Sequence, residues 1–278
     1  MEGRAAPETG SMFEPQEGIP MRTLSGRTLD SLPEHVAVPR YDRSALRAGI
    51  VHIGVGNFHR THLALYVDDC LASPDQEAWG IVGVGLLDGP AARAKAAAFR
   101  RQDGLYTVTE FTPDGEGRTR VIGAMIDYLH APADPEAVLA RLAHRDTRIV
   151  SLTITEGGYN IDEATGAFSL DDPDVARDLA GGPPKSCFGI VVEALARRRA
   201  AGLGGFTVCS CDNLRGNGDT ARKAFTAFAR ARDPGLADWI DAEVDFPNSM
   251  VDRIAPQSLT QKPTIARVAG CRTGWQRG

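Results

Sequence analysis

The stretch that most constrains this chain is Ile50-Val51-His52-Ile53-Gly54-Val55-Gly56-Asn57-Phe58-His59-Arg60-Thr61-His62. Its first residues, 50–53, are strand formers and mostly apolar, and they run into Gly54-x-Gly56. Residues 62–71 then show helical apolar spacing through Leu63, Tyr66, Val67 and Cys70. Strand, glycine turn and helix in that order are the setting in which a Gly-x-Gly motif carries meaning. The first glycine allows the tight turn, and the second lets backbone approach a pyrophosphate. The start of the helix offers N–H groups and a partial positive charge to that anion. The third glycine of the usual fingerprint is replaced by His59. That glycine permits close helix–strand packing, so the helix is expected to ride further from the sheet. The pattern alone fits a glycine turn in some other α/β protein equally well.

At 278 residues the chain has room for one large or two ordinary domains. Its 42% hydrophobic and 24% charged residues are those of a globular protein. A net charge of −5 argues against a nucleic-acid partner, which calls for a basic stripe. No apolar run approaches the ~18 residues of a membrane helix, so no membrane partner is expected. The N-terminus lacks the apolar stretch of a signal peptide, which points to the cytoplasm. The five cysteines are scattered, and Cys209-Ser210-Cys211 reads as buried thiols in a strand rather than as metal ligands.

Residues 1–45 are rich in Pro, Gly, Glu and Arg without a sustained apolar period. They read as a mobile N-terminal arm draped over the domain, with Met21 an alternative start and the fold beginning near Arg47. A second buried strand covers residues 79–86, and Asp88 follows at its carboxyl end. There an acidic residue takes the ribose hydroxyls of a dinucleotide and repels a 2′-phosphate. Asp88 lies further from the glycines than the usual ~20 residues, and an ordinary loop aspartate remains the alternative. A helix is expected over 90–101, then two strands over 105–111 and 118–129 joined as a hairpin by Pro113-Asp114-Gly115. Asp134 and Pro135 open a helix to residue 144 as N-cap and first helical position. The β-branched run 148–155 reads as a buried parallel strand ending on Glu156-Gly157-Gly158-Tyr159-Asn160, a candidate wall of the site. A helix over 187–201, a strand over 206–211, the polar run Asp212-Asn213-Leu214-Arg215-Gly216-Asn217-Gly218 and a helix over 219–232 complete the series. Strands alternating with helices predict an α/β fold with a doubly wound, mostly parallel sheet of Rossmann type over residues 46–256.

Four motifs in order resemble the long-chain mannitol dehydrogenase family of polyol dehydrogenases. They are the residue 54–62 motif, Thr155-Glu156-Gly157-Gly158-Tyr159, Cys211-Asp212-Asn213-Leu214-Arg215-Gly216-Asn217-Gly218, and Phe246-Pro247-Asn248-Ser249-Met250-Val251-Asp252-Arg253-Ile254-Ala255-Pro256. The prelude Val38-Pro39-Arg40-Tyr41-Asp42-Arg43 and the Phe58-His59-Arg60 form are most similar to mannitol 2-dehydrogenases within it. The resemblance implies an NAD cofactor, a polyol or ketose substrate and hydride transfer of the D-mannitol to D-fructose kind. It implies that Gly54, Gly56, Asn57, Phe58, His59, Arg60, Asp88, Thr155, Glu156 and Gly157 bind the cofactor, with Asp88 selecting NAD over NADP. It also implies that Asn213 and Asp252 face the substrate, Asn213 donating to an alkoxide-like oxygen and Asp252 accepting from sugar hydroxyls. For Asp252 and Arg253 a structural salt bridge is the alternative. No metal is expected.

The resemblance breaks at the catalytic base. The family carries it as a lysine in a Lys-x-x-x-x-Asn-x-x-His pattern within a second, helical domain. The four lysines here, Lys95, Lys185, Lys223 and Lys262, have no asparagine five residues on, and no histidine follows His144. Residues 257–278 hold four basic residues and no acidic one. They read as a divergent tail or the truncated or frame-shifted start of the substrate domain, with a short variant as the alternative. The family's C-terminal helical domain is thus expected to be largely absent. Activity is then expected to be weak or nil, with self-association through the exposed domain interface. A hexuronate (fructuronate or tagaturonate) reductase of the same family and a non-catalytic nucleotide-binding module are the competing readings. A short-chain dehydrogenase is set aside, because no tyrosine has a lysine four residues on.

Overall fold

The computed structural model describes residues 22–111, 116–162, 164–251 and 271–272. Its strands in chain order are β1 (Arg22–Thr23), β2 (Ala48–Ile53), β3 (Gly80–Gly85), β4 (Tyr106–Phe111), β5 (Gly117–Ile122), β6 (Met125–His130), β7 (Ile149–Leu152), β8 (Thr207–Ser210) and β9 (Cys271–Arg272). The α-helices are α1 (Asn57–Thr61), α2 (Leu63–Leu71), α3 (Pro90–Arg101), α4 (Pro135–Ala143), α5 (Pro173–Leu179), α6 (Cys187–Ala200), α7 (Asn217–Arg232) and α8 (Pro234–Glu243).

Five strands make one parallel sheet in the order β6-β3-β2-β7-β8. From β2 the chain moves outward through β3 to β6. It then crosses back past β2 to β7 and outward again to β8. The strand order therefore reverses between β2 and β7, where open α/β sheets leave a crevice at the carboxyl ends. The strands are apolar on both faces because helices cover both. Val51, Ile53, Val150, Leu152 and Val208 pack with Leu142 of α4, Val191 and Leu195 of α6, and Phe225 and Phe228 of α7. Ile50, Ile81 and Met125 pack on the other side with Leu65 of α2 and Phe99 of α3. Each buried aliphatic side chain contributes roughly 1.5–3 kcal/mol, so the two layers hold the strand ends in register.

The expected strand over 118–129 is instead two strands. β5 pairs antiparallel with β4 as the hairpin anticipated, whereas β6 joins the parallel sheet beside β3. The break is made by Asp68, a buried carboxylate that accepts the N–H groups of Gly123 at 2.7 Å and Ala124 at 3.1 Å. Those donors are thereby taken out of any ladder.

The mobile arm also needs correction over its described part. Leu24 and Val36 are buried against Leu105 and Val121. Arg43 donates to the carbonyls of Asp103, Gly123 and Met125, so residues 24–45 are fastened to the domain. Residues 1–21 lie outside the described residues. Helices α5 and α8 were not anticipated, although each opens with the Asp-Pro pair that marks α4. Asp172 caps α5 before Pro173, and Asp233 caps α8 before Pro234.

Candidate functional site

The glycine turn sits at the carboxyl end of β2, beside the crevice. Gly54 has φ +97°, and a Cβ there would stand 2.0 Å from the Thr153 carbonyl oxygen. Its N–H donates to Val84 O at 3.0 Å, and its carbonyl accepts from the Thr153 hydroxyl at 2.7 Å. The turn is thus stitched to the strands on both sides. Gly56 differs: a Cβ on it would meet only Gly54 O, at 3.7 Å. Nothing in the described protein demands a glycine there, and the backbone above it is open. Arg60 folds back on the turn, with Nε on Gly56 O at 3.3 Å and a second bond to the Asn57 side chain. Lys95 reaches from α3 to the Val55 carbonyl. Phe58 is half-buried and stacks on His62. The helix expected over residues 62–71 is α2, and a short helix α1, not expected from the spacing, precedes it with His62 between them.

His59 fills the place of the third glycine. Its ring is buried and stacks on His52 of β2, with centroids 3.5 Å apart and planes 13° from parallel. The space between helix and strand is filled by two imidazoles. His52 bonds Ser151 Oγ and Thr153 Oγ1, whereas neither nitrogen of His59 has a hydrogen-bond partner among the described residues. Burial pushes the His52 pKa down to about 3 and holds that of His59 well below the usual histidine value. Both rings are neutral at pH 7.

Asp88 is exposed just beyond β3, and its Oδ1 accepts the Gly89 N–H at 2.6 Å. That bond, followed by the Arg93 charge, lowers its pKa.

Across the crevice, β7 ends in a strained turn. Thr155 has φ +70° and ψ 162°, a region that costs a β-branched residue roughly 1–3 kcal/mol. Asp212, beyond β8, holds it there. Its Oδ1 accepts the Thr155 N–H at 2.9 Å, and its Oδ2 accepts the Ile154 N–H at 3.0 Å and the Tyr159 hydroxyl at 2.8 Å. Thr155, Glu156 and Gly157 are left exposed at the rim. Asp212 had no assigned role in the sequence reading. The signal was present as a carboxylate at a strand end, but its partners lie 53 to 58 residues away.

Asn213 is exposed at the end of β8, and its amide makes no hydrogen bond among the described residues. Buried Asn217 donates to Ser210 O, Asp212 O and Ser249 and accepts the Ser249 N–H. Gly218 packs so closely that a Cβ would stand 2.4 Å from Pro247 O. The residue 211–218 and residue 246–251 motifs, separate in sequence, are therefore one structural unit. Asp252 lies outside the described residues.

The mannitol dehydrogenase Rossmann domain matches residues 48–270, most of the chain. The chain belongs to the mannitol dehydrogenase family. The polyol:NADP oxidoreductase of Gluconobacter oxydans is 55% identical over 90% of this chain and 51% of its own length. A substrate-free D-sorbitol dehydrogenase structure superposes with a TM-score of 0.85 at 51% identity, covering 90% of this chain and 51% of that one. The Pseudomonas fluorescens mannitol 2-dehydrogenase, in ternary complex with NAD and D-mannitol, gives a TM-score of 0.80 at 45% identity over 84% and 47%. The chain thus spans about half the length of these family members. The doubly wound Rossmann-type sheet expected from the motifs is the fold of the family. No helix among the described residues is long and apolar enough to cross a membrane.

Proposed function

We propose that this chain is the dinucleotide-binding half of an NAD-dependent polyol oxidoreductase acting on a D-mannitol and D-fructose type of pair. One observation carries the reading. At the switch point of the sheet, a glycine turn open above Gly56 lies beside a β7 turn that Asp212 holds in a strained form. Open backbone over Gly56 suits a pyrophosphate, and the Asp88 carboxylate at the end of the next strand suits ribose hydroxyls. When bound, NAD takes up or returns the hydride. Asn57, Phe58 and Arg60 then shape the phosphate end, and Thr155, Glu156 and Gly157 form the wall over β7. His59, expected among the cofactor contacts, is instead buried against His52 and supports the turn from beneath. The Asn213 amide donates to the substrate oxygen that gains negative charge as the hydride moves, and Asp252 accepts from substrate hydroxyls.

No lysine in the sequence carries the family's base pattern, so the proton on the alcohol has no partner of that kind. Loss of a general base lowers the rate by roughly two to four orders of magnitude. NADH-dependent fructose reduction by the purified chain is therefore expected about 100-fold or more below that of a full-length relative. Turnover matching the relative would contradict this. The purified chain is also expected to self-associate through the surface that the other half of its relatives would cover, visible as concentration-dependent sedimentation. The Gluconobacter relative is named for NADP and the Pseudomonas structure holds NAD. The ribose end of the site decides between the two.

A further inference from the structure

Asp88 is not a bare negative charge. Its Oδ1 accepts both the Gly89 N–H, at 2.6 Å, and Arg93 Nη1, at 2.5 Å. Its Oδ2 makes no hydrogen bond among the described residues. The loop that carries it is fixed from two sides. Gly89 takes φ +116°, an angle that favours glycine, and in that conformation its N–H meets the preceding carboxylate. His130, at the end of β6, lies with Nε2 2.9 Å from Leu87 O, so the ring donates to the carbonyl just before Asp88. The carboxylate is therefore presented in one orientation, with one oxygen committed and one open.

Arg93 stands in the first turns of α3, with 59% of its side chain exposed, and Asp88 is 61% exposed. An ion pair this open to water is weak, and releasing its arginine costs little. The guanidinium carries five donors in a planar fork matched to phosphate oxygens, and a single bond to Asp88 uses only one of them. Asp88 and Arg93 together carry no net charge. A lone carboxylate repels a 2′-phosphate, whereas this pair offers an acceptor and a cation side by side.

We propose that Arg93 is a specificity-determining residue that lets this chain bind the 2′-phosphorylated dinucleotide NADP(H) as well as NAD(H). With NAD(H), the ribose diol donates to Asp88 Oδ2 and Arg93 stays on Oδ1. With NADP(H), Arg93 turns from the carboxylate to the 2′-phosphate and screens one anion from the other. The inference rests on the reading of these strand ends as a dinucleotide site and goes beyond the selection of NAD by Asp88 alone.

The test is a pair of titrations, NADH and NADPH, read by nicotinamide fluorescence on the wild-type chain and on R93A, R93K and D88N. Circular dichroism confirms that each variant is folded, which the exposure of both residues leads us to expect. The wild type should bind NADPH within about ten-fold of NADH. R93A should weaken NADPH by about ten-fold or more, the scale of a lost charged hydrogen bond, and NADH by less than about two-fold. R93K, which keeps the charge but not the fork, should recover part of the loss. D88N should move the two affinities in opposite directions, tightening NADPH and weakening NADH. Saturable NADH binding with no NADPH binding, or equal losses of both in R93A, would overturn the role of Arg93 and leave the dinucleotide reading standing. A folded chain that binds neither overturns both.

Discussion

On the β2 side of the crevice the turn is shaped by what is missing from it, since a Cβ on Gly54 would stand 2.0 Å from the Thr153 carbonyl. On the β7 side the turn is shaped by what has been added. There Thr155 keeps a full side chain at φ +70°, and the Asp212 carboxylate accepts three hydrogen bonds to hold the segment in place. The first region is governed by backbone sterics and is cheap to specify: a glycine at one position suffices. The second stores strain and depends on a buried acceptor contributed by the neighbouring strand. A pyrophosphate needs open, rigid backbone, which the first arrangement provides. The second arrangement leaves the side chains of Thr155 and Glu156 exposed at the rim, which glycine would not supply.

The comparison breaks most sharply at Gly54. G54A should cost at least about 4 kcal/mol, because both the φ angle and the contact with Thr153 oppose a methyl group. Urea denaturation measures this, and a loss below ~1 kcal/mol would mean the turn is free to move. D212A should cost about 3 kcal/mol, by leaving two N–H groups and a buried tyrosine hydroxyl without their acceptor. In that background T155G should recover part of the loss, since glycine needs no carboxylate to hold a positive φ. Additive effects in the double-mutant cycle would separate the strain from Asp212.

The stacked histidines beneath the glycine turn give a pH signature. Burial lowers the folded pKa of His52, to about 3, and that of His59. Between those values and the unfolded ~6.5, the unfolded chain binds more protons than the folded one. Their contribution is full above pH ~6.5 and declines as the pH falls, by about 1.4 kcal/mol per unit for each ring. Melting curves from pH 7.5 to 5 should show this, and H59F, which keeps a stacked ring, should flatten the slope by about half. The smallest effect on folding is expected at Gly56. G56A should change stability by less than about 1 kcal/mol, since its Cβ meets nothing closer than 3.7 Å.

Local signals were the legible ones. The strand, glycine turn and helix of residues 50–71, the Asp134-Pro135 cap and the β-branched runs each act through neighbours in sequence, and they placed the sheet and the β2 turn. Three features escaped because their causes are distant. Asp68 splits the 118–129 run from 55 residues away, Asp212 reaches Thr155 across 57, and Asn217 ties down Ser249 across 32. None of these pairs has a spacing that a linear pattern could reveal. The packing of residues 24–45 escaped for a related reason. Leu24 and Val36 are the fully buried apolar side chains of that segment, with Leu29 and Leu32 partly buried beside them, and they are too few to show a period. Helices α5 and α8 carry the same Asp-Pro cap as α4. With 7 residues, α5 is too short to make an apolar stripe evident, whereas α8, with 10, is longer than α4 and its cap was there to be read.

The central claim is that the strand ends around Gly54 and Gly56 bind a nicotinamide dinucleotide. It is tested most directly by titrating the folded chain with NADH, beside a G56V variant shown by its melting curve to be equally folded. Saturable one-to-one binding by the wild type, weakened about ten-fold or more in G56V, is the predicted result. A folded wild-type chain with no saturable NADH binding, or a G56V variant that binds as tightly, would contradict it.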